Sequence, residues 1–201
     1  QMAGRAGRPK YDKTGEAILI AKTNDEADYL LESYILARPE RIWSRLAVER
    51  IMRTHVLATV AADYAHTERG IYEFFGKTFY AYQYDVDAIK TILAKILKYL
   101  YDEEMIEVFS DTINATKLGK RVSELYIDPV SAVIIRNASR TTPTYLTDLS
   151  LLHMIAHMPD MGPILRPYAQ ELDDISIFME EHREEFLIDV PDEWDDRIAY
   201  E

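Results

Sequence analysis

The chain has 201 residues, 48% of them hydrophobic, which is enough for one large or two small domains with a real core and excludes wholesale disorder. It has no cysteine, which excludes disulfide frameworks, cysteine-ligated zinc fingers and thiol nucleophiles and fits an intracellular, cytoplasmic setting. The formal net charge of -12 is uneven: residues 171–201 hold 13 acidic and 2 basic side chains, residues 1–170 hold 22 and 21, so a locally basic surface is compatible with the total.

The chain opens on Gln1-Met2-Ala3-Gly4-Arg5-Ala6-Gly7-Arg8-Pro9, two arginines each directly after a glycine. Glycine permits close backbone approach to a ligand, and guanidinium groups match phosphate oxygens with a rigid fork of donors. The run reads as a phosphate-binding loop. A turn at Asp12-Lys13-Thr14-Gly15 leads to Glu16-Ala17-Ile18-Leu19-Ile20-Ala21, an apolar run expected to be a buried strand of a parallel sheet. Thr23 and Glu26 have capping-box spacing before a helix with Ala27, Leu30, Leu31 and Tyr34 on one face. One strand and one helix cannot close a sheet's core, so residues 1–37 are expected to be the end of an α/β domain belonging to a larger protein.

Arg38-Pro39 marks a boundary. Beyond it, helices are expected from Ser44 (apolar stripe Leu46, Ile51, Val56, Leu57, Val60) and from Thr67-Glu68 (Ile71, Phe74, Phe75, Phe79). After Asp85, the positions Ile89, Ile92, Leu93, Ile96, Leu97 and Leu100 make the clearest amphipathic helix, with Lys90, Lys95 and Lys98 between them. Met105 to Phe109 and Ile113 to Thr116 alternate like the strands of a hairpin around Ser110-Asp111. Helices followed by a hairpin give the order of a winged-helix domain, which binds duplex nucleic acid or serves as a packing module.

Lys117, Lys120 and Arg121 form the basic cluster beside that hairpin and are the candidate DNA contacts, although a solvated helix start explains them equally well. Val122, Leu125, Tyr126 and Ile127 are expected to pack. Asp128-Pro129 then caps and opens a helix with apolar positions Val130, Val133, Ile134 and Ile135. In the next helix His153 and His157 have the i, i+4 spacing of metal ligands, but no glutamate lies between them and no third ligand is apparent, so no metal is expected. Pro167 is expected to begin a long acidic helix with Leu172, Ile175, Met179 and Phe186 inward, its paired glutamates forming a solvated face.

The opening run resembles the sixth motif of superfamily-two helicases, in the form Q-x-x-G-R-A-G-R-P. Ser44-Arg45-Leu46, Arg53-Thr54-His55-Val56-Leu57, Ala115-Thr116-Lys117-Leu118-Gly119, Ser123-Glu124-Leu125-Tyr126-Ile127-Asp128-Pro129 and Leu151-Leu152-His153 recur in that order in the archaeal Holliday-junction-migration (Hjm-type, HELQ-like) DNA helicases. The resemblance implies a mainly α chain. Residues 1–37 would end a second RecA-like motor domain, 38–127 would be a winged-helix domain, and 128–201 the N-terminal part of a helical ratchet domain. It implies a monomeric enzyme that uses ATP and Mg2+ to unwind forked or branched DNA 3′–5′ in repair and recombination. Arg5 and Arg8 would be catalytic at the terminal phosphate, with Gln1 and Gly4 also on the nucleotide. The sequence holds no G-x-x-x-x-G-K-[ST] loop and no D-E-x-H box, so the missing N-terminal motor domain would supply them. The chain alone is expected to bind no cofactor and to lack ATPase activity. A winged-helix DNA-binding regulator and a structural or partner-docking module are the alternatives.

Overall fold

The structure is a computed structural model and describes residues 6–7, 10, 14–38, 40–141, 146–162 and 167–189. The chain divides into two compact units, Gln1–Ile42 and Trp43–Glu201.

In the first unit, α1 (Asn24–Leu30) starts where Thr23 accepts a hydrogen bond from the Glu26 amide at 3.2 Å. The Glu26 carboxylate reaches back, but to the amide of Lys22 at 2.7 Å, one residue earlier than a capping box requires. A single π-helical turn, Leu31–Ile35, continues the helix. Two expectations fail here. Glu16 to Ala21 is irregular, with Ile18 and Ile20 76% and 83% exposed. A strand exists only through its ladder, and no described residue pairs with this run. The apolar face of α1 buries no residue, for the same want of a sheet beneath it.

The second unit is built on helices and one hairpin. Ser44 caps a 3-10 turn (Arg45–Ala47), and α2 (Glu49–Ala61) comes next, burying Met52, Val56, Leu57 and Val60. Met52 takes the inward place expected of Ile51, which is half-buried. Thr67 caps α3 (Glu68–Phe75), Thr78 caps α4 (Phe79–Gln83) and Asp85 caps α5 (Val86–Asp102). The stretch expected as one helix from Thr67 to Phe79 breaks at Gly76, leaving Ile71 and Phe75 buried and Phe74 and Phe79 exposed. The α5 stripe is as spaced: Ile89, Leu93, Ile96, Leu97 and Leu100 are buried and Ile92 is half-buried.

Strands β1 (Ile106–Phe109) and β2 (Thr112–Ala115) pair antiparallel, Ile106 opposite Ala115 and Phe109 opposite Thr112. The amide of Ile113 donates to the carbonyl of His66 at 2.8 Å, fastening β2 to the segment before α3. Thr116 caps α6 (Lys117–Leu125), which packs so closely on the hairpin's root that a Cβ on Gly119 would lie 2.0 Å from the Met105 oxygen. Tyr126, at φ 56, ends α6. Leu125 and Tyr126 are exposed rather than packed, because this left-handed residue turns the chain out of the helix.

Asp128 caps α7 (Pro129–Ala138); beyond it lie α8 (Asp148–Ala156) and α9 (Leu172–Glu181), the last leading to a 3-10 turn, Arg183–Glu185. The buried face of α7 is Ser131, Ala132 and Ala138, while the branched residues Val130, Val133, Ile134 and Ile135 are half-buried or exposed. Small side chains let the helix approach its neighbours closely, which branched ones would prevent. Pro167 does not begin α9. The amide of Tyr168 donates to the Glu171 carboxylate at 2.7 Å, closing a turn ahead of the helix. The fold is thus mainly α with one small antiparallel hairpin. Among the described residues no helix is long and apolar enough to cross a membrane.

Candidate nucleic-acid interface

Of the opening cationic loop, Gln1, Gly4, Arg5 and Arg8 lie outside the described residues; Ala6 and Gly7 are described. Gly7 adopts φ 81, in the left-handed region, and a Cβ on Gly15 would lie 2.3 Å from the Gly7 nitrogen. Two backbone segments therefore touch with no side chain between them, which only glycine allows at position 15.

The other predicted contacts lie on α6. Lys117, Lys120 and Arg121 are exposed and spaced i, i+3, i+4, so they share one face. Arg121 pairs with Glu124 at 3.1 Å, and neither Lys117 nor Lys120 is in an ion pair among the described residues. The first turn of α6 carries no acidic residue. Lysines there oppose the helix dipole, an arrangement a phosphate between them relieves.

Helix α5 occupies the place of a recognition helix, between the first helices and the hairpin. Its solvent face cannot read bases well. It contains no Arg, Asn or Gln, the usual bidentate readers. Each of its lysines meets a carboxylate: Lys90 Asp87 at 3.0 Å, Lys95 Glu49 at 2.9 Å and Lys98 Asp102 at 2.6 Å. The hairpin from Ile106 to Ala115 carries Glu107 and Asp111 and no basic residue.

A charged hub joins α2 to α7. Arg53 grips Asp128 through two parallel bonds, Nε to Oδ1 at 3.0 Å and a terminal nitrogen to Oδ2 at 2.9 Å. Asp128 is 1% exposed and also accepts from the Val130 amide at 2.9 Å, capping α7. The Asp160 carboxylate accepts from the Asp128 amide at 2.9 Å and the Ser131 hydroxyl at 2.7 Å. Arg50 donates to the carbonyl of Pro159, and Arg53 lies over the Tyr99 ring at 5.3 Å. At the far end of α7, Arg136 pairs with Glu103. Nothing in local spacing announces this pairing, since Arg53 and Asp128 stand 75 positions apart.

His153 is buried, stacked on Phe186 with ring centroids 3.9 Å apart and edge-on to His157 at 4.7 Å. Burial, with a smaller push from His157, lowers its pKa to about 4, and burial also lowers that of His157. Among the described residues no three His, Cys, Asp or Glu side chains converge as a metal site.

The helix-turn-helix domain family matches residues 15–107, which covers α2, α3 and α5. ATP-dependent DNA helicases named Hel308 match the chain, the following three among them. That of Methanocella arvoryzae is 40% identical over 207 residues, covering 100% of this chain and 27% of the relative. That of Pyrococcus horikoshii is 39% identical over 173 residues, covering 85% and 24%. That of Thermococcus kodakarensis is 35% identical over 186 residues, covering 90% and 16%. The chain is homologous to one portion of the Hel308 helicases. It spans 27% or less of the length of these relatives.

Within this Hel308-type chain the described charges divide into two kinds. Those of the hub centre on the buried Asp128 and are spent on holding α7 to α2. Those of α6 are exposed, and two of the three lack an ion pair among the described residues. The α6 cluster thus places three exposed cations on one helical face.

Proposed function

We propose that the chain is part of an ATP-dependent DNA helicase, in which it carries the arginine-finger loop and the domain that couples the motor to the DNA-handling helices. The observation that carries this reading is the match of the whole chain to Hel308 at 40% identity, with G-R-x-G-R at its start. In this reading residues 1–37 end the second motor domain, 38–127 form the winged helix and 128–201 begin the ratchet domain. Forked or branched DNA is the substrate.

The loop suits a nucleotide. Glycines bring the Gly7 and Gly15 backbones into contact, and Arg5 and Arg8 add the fixed cations. ATP with Mg2+ supplies the phosphoryl transfer when bound. Arg5 and Arg8 offset charge developing on the terminal phosphate, a role worth on the order of 10³ to 10⁵ in rate. Gln1 and Gly4 help fix the loop. Downstream, the Arg53–Asp128 grip makes α2 and α7 move together, so motor motion reaching the winged helix is handed on to α7. The α6 cluster of Lys117, Lys120 and Arg121 contacts backbone phosphates without reading sequence. A regulator that reads bases is disfavoured by the absence of Arg, Asn and Gln on α5.

Arg8→Ala in the intact enzyme is the test. The expected result is loss of DNA-stimulated ATP hydrolysis with DNA affinity nearly unchanged. Retained hydrolysis sinks the arginine-finger assignment.

A further inference from the structure

The face that a winged helix ordinarily turns to DNA is, in this chain, a groove of about 850 Å³ between α3, α5 and the hairpin. Its floor is apolar: Tyr72, Ala94, Leu97, Ile106 and Ile113. Its rim is acidic. Glu68 and Asp111 stand on it, and neither is in an ion pair among the described residues. The two rim cations are already matched, Arg69 by Glu73 at 2.8 Å and Lys98 by Asp102 at 2.6 Å. The two rim carboxylates thus stand outside any ion pair among the described residues, while both rim cations are engaged by carboxylates beside the trough. Phosphates would find both rim cations already paired, and would leave the apolar floor wet. A polypeptide with apolar anchors would dry the floor, and basic flanks would answer the rim.

We propose that this groove is a docking site for a protein segment whose apolar anchor side chains are flanked by lysine or arginine, and that nucleic acid does not enter it. Several details suit such a guest. Val108 is 49% exposed at the trough's edge, and Tyr101 is 54% exposed on the outer flank of α5, an apolar ring with a hydroxyl at its wet end. The Tyr72 hydroxyl donates to Glu68 at 2.5 Å, and its pKa is pushed up to about 12 by burial and then by that carboxylate, so it remains a donor. The inference does not rest on the nucleotide chemistry of the opening loop.

The test titrates the 201-residue chain into a fluorescein-labelled amphipathic peptide of leucine and lysine, followed by fluorescence anisotropy. The same peptide with glutamate for lysine and an unlabelled DNA duplex serve as comparators. Binding of the lysine peptide is expected, with no binding of the glutamate peptide and no displacement by duplex. Ala94→Trp fills the trough and leaves the net charge unchanged. It is expected to weaken binding by about tenfold or more, a change of roughly 1.4 kcal/mol. Val108→Arg, at an exposed site, is expected to do the same and carries the test if circular dichroism shows that Ala94→Trp misfolds. Undiminished binding in the groove variants overturns the proposal, because the attraction would then be general to an acidic chain. Displacement by duplex, or no peptide binding, overturns it equally.

Discussion

The hub at Asp128 makes a quantitative prediction about how the winged helix holds the helices C-terminal to it. Asp128→Ala removes three things together: the two-bond grip of Arg53, the nearer of its two counter-charges (Glu49 remains at 3.7 Å), and the cap on the Val130 amide. Breaking a buried ion pair by deleting one partner costs roughly 3–5 kcal/mol, because the surviving charge stays buried. A lost cap alone costs about 1 kcal/mol. The Arg53 side chain is 12% exposed, so water cannot rescue it. These losses overlap, and the expected total is about 4 kcal/mol. In a unit of this size each kcal/mol lowers the thermal midpoint by roughly 2–4 °C, so a drop of about 10 °C is expected by circular dichroism. Asp128→Asn keeps an oxygen for the cap and loses the charge, and is expected to recover about 1 kcal/mol of the loss. Arg53→Met retains packing on Tyr99 without charge. Combined with Asp128→Ala it should be more stable than Asp128→Ala alone, a coupling of about 2 kcal/mol or more. A midpoint shift under about 3 °C, or additive effects in the cycle, refutes the view that Arg53 and Asp128 act as one buried unit.

Gly119→Ala is expected to destabilise the chain by about 3 kcal/mol or more in urea unfolding, since its Cβ would meet the Met105 oxygen at 2.0 Å and the obstacle is backbone. His153 is held neutral by burial, with a pKa near 4 against about 6.5 unfolded, so its contribution is complete above about pH 6.5 and is lost as pH falls toward 4. That slope, amounting to up to about 3 kcal/mol, should shrink in His153→Leu when stability is followed from pH 7 to pH 4. Replacing Lys117, Lys120 and Arg121 together by glutamine should reduce the salt dependence of DNA binding by about 2–3 in log–log slope, with no change in sequence preference; an unchanged slope removes α6 from the interface.

Which features can be read from the sequence, and which cannot, depends on the reach of each interaction. Caps are legible because donor and acceptor are two or three residues apart, as at Thr23, Asp85 and Asp128; Thr116, expected at the end of a strand, caps α6 instead. The α5 stripe is legible because its period repeats through a long helix. The hairpin shows in its alternation. Glu16 to Ala21 misleads because an apolar, branched run is necessary for a buried strand but its ladder partner is not local. The inward face of α7 misleads differently. Size, not apolarity, decides there, and Ser131 and Ala132 win over Val133 and Ile134 because a neighbouring element presses close. At the candidate site, the basic residues of α6 can be found by charge and spacing alone. The carboxylates that neutralise α5 cannot all be found so: Glu49 comes to Lys95 from another helix, 46 positions away.

The spacing of the hub along the chain orders its assembly. Ribosomes deliver the N-terminal part first. Every core residue from Met52 to Val122 is made before Asp128, and Asp128 is made before Asp160. Until Asp128 is made, Arg53 has only Glu49 of its own helix, 3.7 Å away, as a counter-charge among the described residues, on a winged helix that can already close its core. When Asp128 arrives, it meets that cation only if α2 is correctly seated, and Asp160 then brackets the joint from its far side. The hub therefore works as an inspection point in biogenesis: the downstream helices are locked on only after the module before them has folded.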